Sequence, residues 1–260
     1  MYRNTKIIKT SDAGPVEDHI WKYELMFPDF IATVSVDNPK GWDVWDYWER
    51  ERIASMQENL KKGDFLFDVG SESGALSALY CKYMVGEGNI VLFEPSPKYW
   101  SLIREIWREN NLGEPLGCFQ GFVGRISKKG KKVGIEWPEC SNDPVIDGGM
   151  PYAYMNNPVD EAKIPTVSLD DWSKIHEIVP DAITIDVEGA ELEVIRGASN
   201  LLVNNDLKVW VSVHPDLMLK NFGVTEGGLF AWMKRLGYVG ELLAVDHEAH
   251  WFFKKKEKKS

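Results

Sequence analysis

Short apolar runs, each closed by an acidic or glycine-bearing turn and followed by a stretch of helical period, recur through the middle of this chain. Phe65-Leu66-Phe67-Asp68-Val69 ends in Gly70-Ser71-Glu72-Ser73-Gly74, after which Ala75 to Met84 reads as a helix. Ile90-Val91-Leu92-Phe93 ends in Glu94-Pro95-Ser96-Pro97, and a helical stretch follows from Tyr99 to Asn110. Strand, glycine turn, helix and strand in that order make a βαβ unit, whose crossover requires a parallel sheet covered on both faces. The alternation continues with Gly117 to Val123, Ala182 to Asp186, a helix from Ala190 to Leu202, and Val209 to Val213. At least five strands alternate with helices, which predicts an α/β fold with a doubly wound, mostly parallel sheet.

The flanks read differently. Phe30 to Val36 is predicted as one strand of a leading hairpin, and Trp42 to Leu60 as a helix that closes on Lys61-Lys62-Gly63. Trp42, Trp45 and Trp48 are expected to serve core and lid packing rather than sugar stacking. Gly124 to Thr166 is rich in Lys, Gly, Pro and Asn, and its Trp137, Tyr152 and Tyr154 suit a packed loop over a site. The predicted organisation is an N-terminal extension and lid helix over 1–62, a main domain over 63–253 with an insert at about 125–165, and a lysine-rich tail over 254–260.

Composition narrows the function. With 260 residues, 44% of them hydrophobic, the chain can bury the core of one elaborated domain. Its net charge is −10, and without the terminal run Lys254 to Lys259 the body is more acidic still. Such a body repels phosphate backbones, which counts against a nucleic-acid partner. Cys81, Cys118 and Cys140 are odd in number and widely spaced, so a reducing, cytoplasmic setting is expected. No apolar stretch reaches about 18 residues, the length at which a membrane span is read.

In a parallel α/β sheet, ligands bind beyond the carboxyl ends of the strands. Asp68, Glu94 and Asp186 all stand at such ends. Gly70 and Gly74 permit close backbone approach, and Glu94 is placed to accept both hydroxyls of a ribose. A dinucleotide fingerprint starting at Gly70 fails at Glu72 and Ala75, and the Glu72 carboxylate would oppose a pyrophosphate. S-adenosylmethionine, with its ribose, amino-acid end and sulfonium, suits an acidic pocket.

The chain resembles FkbM-type methyltransferases in four ordered motifs: Phe67 to Gly74, Phe93 to Pro97, Thr166 to Asp171, and Ile185 to Ala198. That resemblance implies a Rossmann-like, class I methyltransferase-like domain and S-adenosylmethionine-dependent O-methylation of a carbohydrate, glycan or natural-product hydroxyl. The chain departs from the family's frequent residues at Ser71-Glu72-Ser73, at Thr184 where lysine is common, and at Ser212 where glutamate is common.

The expected cofactor set is Asp68, Gly70, Ser71, Glu72, Gly74, Glu94, Pro95, Ser96, Gly121 and Phe122. His214 is assigned as the general base, because an imidazole titrates near working pH, and Asp186 as an orienting carboxylate. A divalent metal on Asp186 and Glu188 is an open alternative, as is the reading that these two carboxylates cap the next helix. Glu191 and Glu193 read as surface charges on that helix. The acceptor is expected to be a small molecule or glycan; the rivals are a nucleic-acid ribose methyltransferase and a non-catalytic cofactor-binding module.

Overall fold

The computed structural model describes residues 9–17, 20–26, 31–37, 49–127, 134–138, 164–246 and 248–256. A seven-stranded sheet organises them, in the order β11 (Tyr238–Val245), β12 (Ala249–Lys255), β10 (Lys208–Val213), β9 (Ala182–Ile185), β4 (Leu66–Val69), β5 (Ile90–Phe93) and β6 (Gly117–Phe119). β10, β9, β4, β5 and β6 are mutually parallel, while β12 runs antiparallel to both β10 and β11. The mostly parallel sheet expected from the sequence is therefore the one observed, with two C-terminal strands added.

Every residue of β4, β5 and β9 is buried, which is why these strands read as continuous apolar runs. Side-chain alternation nonetheless sorts them by face. Leu66, Leu92, Ala182 and Trp210 join one core with Ile53, Leu79 and Ile103, which belong to α1 (Arg50–Asn59), α2 (Ala75–Tyr80) and α3 (Pro97–Glu109). Phe67, Phe93, Ile185 and Val211 join the opposite core with Trp172, Leu192 and Met233. A period of two then puts Asp68, Thr184 and Ser212 on the α1 face, where each is a buried polar residue in an otherwise apolar run.

Several sequence boundaries shift for local steric reasons. The predicted helix over Ala190 to Leu202 is two helices, Glu191–Gly197 and Ser199–Asn204. At their junction Gly197 lies against the Gly124 carbonyl, where a Cβ would sit 2.1 Å from the oxygen. Gly117 to Val123 also divides: β6 enters the main sheet, and β7 (Phe122–Val123) pairs with β8 (Thr166–Val167) in a separate ribbon. α2 continues into a π-helical turn over Cys81–Val85, and α1 is described only from Arg50, so Trp42, Trp45 and Trp48 lie outside the described residues.

The leading hairpin is a three-stranded antiparallel sheet of β1 (Lys9–Glu17), β2 (Ile20–Met26) and β3 (Ile31–Asp37). Ser35 exchanges two 2.8 Å hydrogen bonds with the Asn110 side chain, which fastens β3 beside α3. Of the predicted insert, residues 128–133 and 139–163, including Tyr152 and Tyr154, lie outside the described residues. Trp137 packs edge-on against Trp100 and Trp107 with Arg104 over its ring, so it serves packing. β12 runs through Lys255 and pairs Lys254 with Val239 and Lys255 with Tyr238, so two lysines assigned to the tail belong to the sheet. Among the described residues no helix is long and apolar enough to cross a membrane.

Candidate active site

The end of β4 and the end of β5 are joined by backbone bonds. The amides of Gly70 and Ser71 both donate to the Phe93 carbonyl, at 2.9 and 3.2 Å. Gly70 has φ of +90°, and a Cβ there would lie 1.7 Å from the Asp186 carbonyl oxygen, so only glycine fits where β4 turns beside β9. The protein's own backbone alone imposes this restriction.

Glu94 is the most specifically held carboxylate of this turn. It is 5% exposed, its Oε2 accepts the Glu72 amide at 3.0 Å, and its Oε1 accepts the Ser96 amide at 2.7 Å. Two backbone donors thus fix the carboxylate plane and leave each oxygen a lone pair for a further donor. Burial pushes its pKa up to about 8, against the pull of those two amides. The Glu72 side chain is exposed, accepting from the Tyr99 hydroxyl at 3.3 Å, so it does not fill the turn.

Asp68 is buried on the α1 face, and its carboxylate accepts the Ser77 hydroxyl rather than turn amides. Burial raises its pKa to about 6. Ser71 donates to the Asp68 carbonyl at 3.0 Å. Pro95 and Ser96 lead into α3 beside Glu94, while the Glu94 amide donates to Phe119 of β6 at 3.1 Å. Gly121 follows that strand with Pro165 and the Phe119 ring against it, and the Phe122 amide donates to Pro165. The motif Thr166 to Asp171 is framework: the Ser168 hydroxyl caps its helix by accepting from Asp171, and Asp170 accepts from the amides of Asn200 and Leu201.

A second polar centre lies one strand over. Asp186 follows β9, His214 follows β10, and Glu248 precedes β12, so the strand order brings residues 186, 214 and 248 together. His214 is clamped at both nitrogens. Nδ1 lies 2.8 Å from Glu191, and Nε2 meets Glu248, with Glu188 at 3.6 Å and Asp186 at 3.9 Å. Burial opposes a charged ring, but the bonds to Glu191 and Glu248 and the charge of Asp186 outweigh it and push its pKa up to about 11. Both ring nitrogens are thus engaged by carboxylates, which favours the imidazolium over the free base. Burial and Asp186 push the Glu248 carboxyl up while the ring pulls it down.

Arg52 of α1 is the cation sequence reasoning missed. It is 2% exposed, and its Nη1 donates to Glu49 at 2.9 Å, Ser212 at 2.9 Å and Asp186 at 3.2 Å, while Nη2 donates to Thr184. Burial opposes its charge, but Glu49, Tyr80 and Asp186 outweigh that, so it stays ionised. Its partners Thr184 and Ser212 occupy the two positions where the sequence departs from the family's frequent lysine and glutamate.

Two further expectations change. Glu191 is fully buried, accepting from the Gly189 amide at 2.8 Å as well as meeting His214, so it is part of the site and not a surface charge. Glu193 does stay near the surface, paired with Arg196 at 2.6 Å. The helix that begins at Glu191 has Ala190 at its N-cap and no side-chain cap, so neither Asp186 nor Glu188 caps it. Among the described residues, the groups of three that could share a cation are Asp186, His214 and Glu248, and Glu49, Glu248 and His250.

A parallel sheet ending in an antiparallel strand inserted beside β10, with a glycine turn after β4 and an acidic end to β5, defines a class I methyltransferase fold. A family model, Methyltransferase FkbM domain, matches residues 68–239. The chain belongs to this FkbM methyltransferase family. It is similar to the hexuronic acid methyltransferase AglP of Haloferax volcanii, 26% identical over 175 residues, a match covering 66% of each chain and so just under two thirds of that relative. Similar solved structures are the methyltransferase FkbM from Methylobacillus flagellatus, at 15% identity, TM-score 0.48 and coverage of 75% of this chain and 44% of that one, and a methyltransferase from Pyrococcus furiosus, at 13%, 0.45, 85% and 88%. Glu49, Arg52, Glu248 and His250 all lie outside the matched segment.

Proposed function

We propose that this protein is an S-adenosylmethionine-dependent O-methyltransferase acting on a carbohydrate hydroxyl. The observation that carries the reading is Glu94: a buried carboxylate held by two backbone amides at the end of β5, beside a glycine turn, matches a vicinal diol such as that of ribose. The cofactor's sulfonium would supply the electrophilic methyl group. Asp68, Gly70, Ser71, Glu72 and Gly74 on one side, with Glu94, Pro95 and Ser96 on the other, form the cradle that would hold it, and Gly121 and Phe122 bound the cradle beside β6.

Methyl transfer requires acceptor oxygen, methyl carbon and sulfur nearly in line, so positioning contributes much of the rate. A sugar hydroxyl must also lose its proton, and we assign this to a carboxylate because Glu191 and Glu248 engage both nitrogens of His214. Asp186 is assigned that role. It adjoins the glycine turn, donating from its amide to Val69 at 2.9 Å, and its side chain is 26% exposed where those of Glu191 and Glu248 are closed off. His214 faces Asp186 as its positive counter-charge, an exchange of the roles expected from the sequence.

The similarity to a hexuronic acid methyltransferase supports a carbohydrate acceptor. The net charge of −10 speaks against a nucleic-acid ribose. The test is incubation with methyl-labelled S-adenosylmethionine and either a glycan extract or RNA. Label in the glycan pool is the expected result; label in RNA, or in neither pool, overturns the reading.

A further inference from the structure

The Arg52 guanidinium touches four side chains, and they do not belong to one element. Glu49 precedes α1, Thr184 lies in β9, Asp186 just beyond it, and Ser212 in β10. Thr184 and Ser212 sit inside apolar strands, where a hydroxyl has no packing advantage and must find a hydrogen-bond partner. Arg52 donates to both, and the Ser212 hydroxyl also meets Nδ1 of His250 at 3.2 Å. α1 itself is fixed by a second bond across the same face, from the Trp210 indole to Ser55 at 3.0 Å. The helix that brings Arg52 in precedes the family-matched segment, so the core motifs alone do not specify it.

We propose that Arg52 is a positioning residue for methyl transfer. It holds Oδ2 of Asp186 by a bond of 3.2 Å and turns Oδ1 to the side where His214 Nε2 stands 3.9 Å away. One carboxylate oxygen is thereby committed to the protein and the other kept for the acceptor hydroxyl. Thr184 and Ser212 are the two hydroxyl slots that set where the guanidinium lies, and Glu49 balances its charge from the α1 side. Nη1 shares its two N–H groups among Glu49, Asp186 and Ser212 while Nη2 reaches Thr184 separately, a two-pronged reach that the single nitrogen of a lysine does not have. The inference rests on Asp186 meeting the acceptor, as proposed above.

The experiment compares full-length wild type, Arg52→Ala and Arg52→Lys, with methyl-labelled cofactor and the glycan extract, and measures cofactor binding in parallel by calorimetry. A positioning role predicts a kcat about a hundredfold lower in Arg52→Ala and about tenfold lower in Arg52→Lys, with cofactor affinity changed less than about threefold. Added guanidinium at millimolar concentration should restore much of the Arg52→Ala rate, and methylammonium should not. If Arg52→Ala does not fold, Arg52→Lys decides by the same kcat and affinity readings. A folded variant with kcat within about threefold of wild type overturns the inference, as does a loss that tracks cofactor affinity instead of kcat. Failure of the wild type itself to label the glycan pool would overturn the methyl-transfer reading first, and so is distinguishable.

Discussion

Glu94 permits a prediction whose size follows from its surroundings. Burial sets its pKa at about 8, whereas in the unfolded chain it ionises near 4.5. The folded value is raised, so the associated stability is present in full below about 4.5 and is lost as pH rises through about 8. A diol binds best to the ionised carboxylate, which accepts two hydrogen bonds at once. At pH 7, one unit below its pKa, about a tenth of the carboxyl is ionised, and at pH 6 about a hundredth. Affinity for the demethylated cofactor should therefore rise about tenfold from pH 6 to 7 and about fivefold from pH 7 to 8, then level off. Glu94→Gln should flatten that slope, because an amide does not titrate. Glu94→Ala removes two charge-assisted bonds of about 1.5 to 3 kcal/mol each, so Kd should rise about a hundredfold at pH 8 if the two losses overlap in part. Titration calorimetry across pH 6 to 9, with near-ultraviolet circular dichroism to confirm folding, measures all of this. The same pH slope in Glu94→Gln, or unchanged affinity in a folded Glu94→Ala, would refute the assignment.

Other predictions concern the second centre. Asp186→Asn should lower kcat by about a hundredfold or more while cofactor affinity stays within about threefold; near-normal turnover would remove Asp186 from the proton transfer. The His214 ring should stay protonated when followed by NMR from pH 5 to 9, since its pKa lies near 11, and a midpoint near 6.5 would contradict the clamped imidazolium. The stability it contributes is present below about 6.5 and fades as pH rises toward about 11, so His214→Gln, which leaves buried carboxylates uncompensated, should cost about 3 to 5 kcal/mol in denaturant unfolding at pH 7. Gly70→Ala should lower the melting temperature sharply even without cofactor, because its Cβ meets the Asp186 carbonyl; a protein of normal stability would show that the turn relaxes. A chelator should leave turnover unchanged, and a loss restored by Mn²⁺ would instead make Asp186, His214 and Glu248 ligands.

Much of the frame was legible in the sequence, because it depends on short-range signals. Four-residue apolar runs with glycine or acidic ends fixed the positions of β4, β5 and β9, and the carboxylate of Glu94 stood at a strand end for the same reason. A histidine near neutral pKa was the natural choice of base on sequence grounds. That choice depended on knowing what lay around the ring, and Glu191 and Glu248 are 23 and 34 residues away in the chain. Glu191 showed no signal of its own beyond its place in the long motif, since a glutamate at a helix start is as often a solvated charge.

Tertiary structure decided the rest. The insertion of antiparallel β12 between β10 and β11 carries Glu248 and His250 back to the ends of β9 and β10. The packing of α1 on the same face carries Arg52 to Thr184 and Ser212, at separations of 132 and 160 residues. Local pattern determines which residues form strands and which turn is glycine, because backbone sterics and burial act over a few residues. Which charges meet, and so which group is already protonated and which can accept a proton, depends on contacts that only the folded sheet creates.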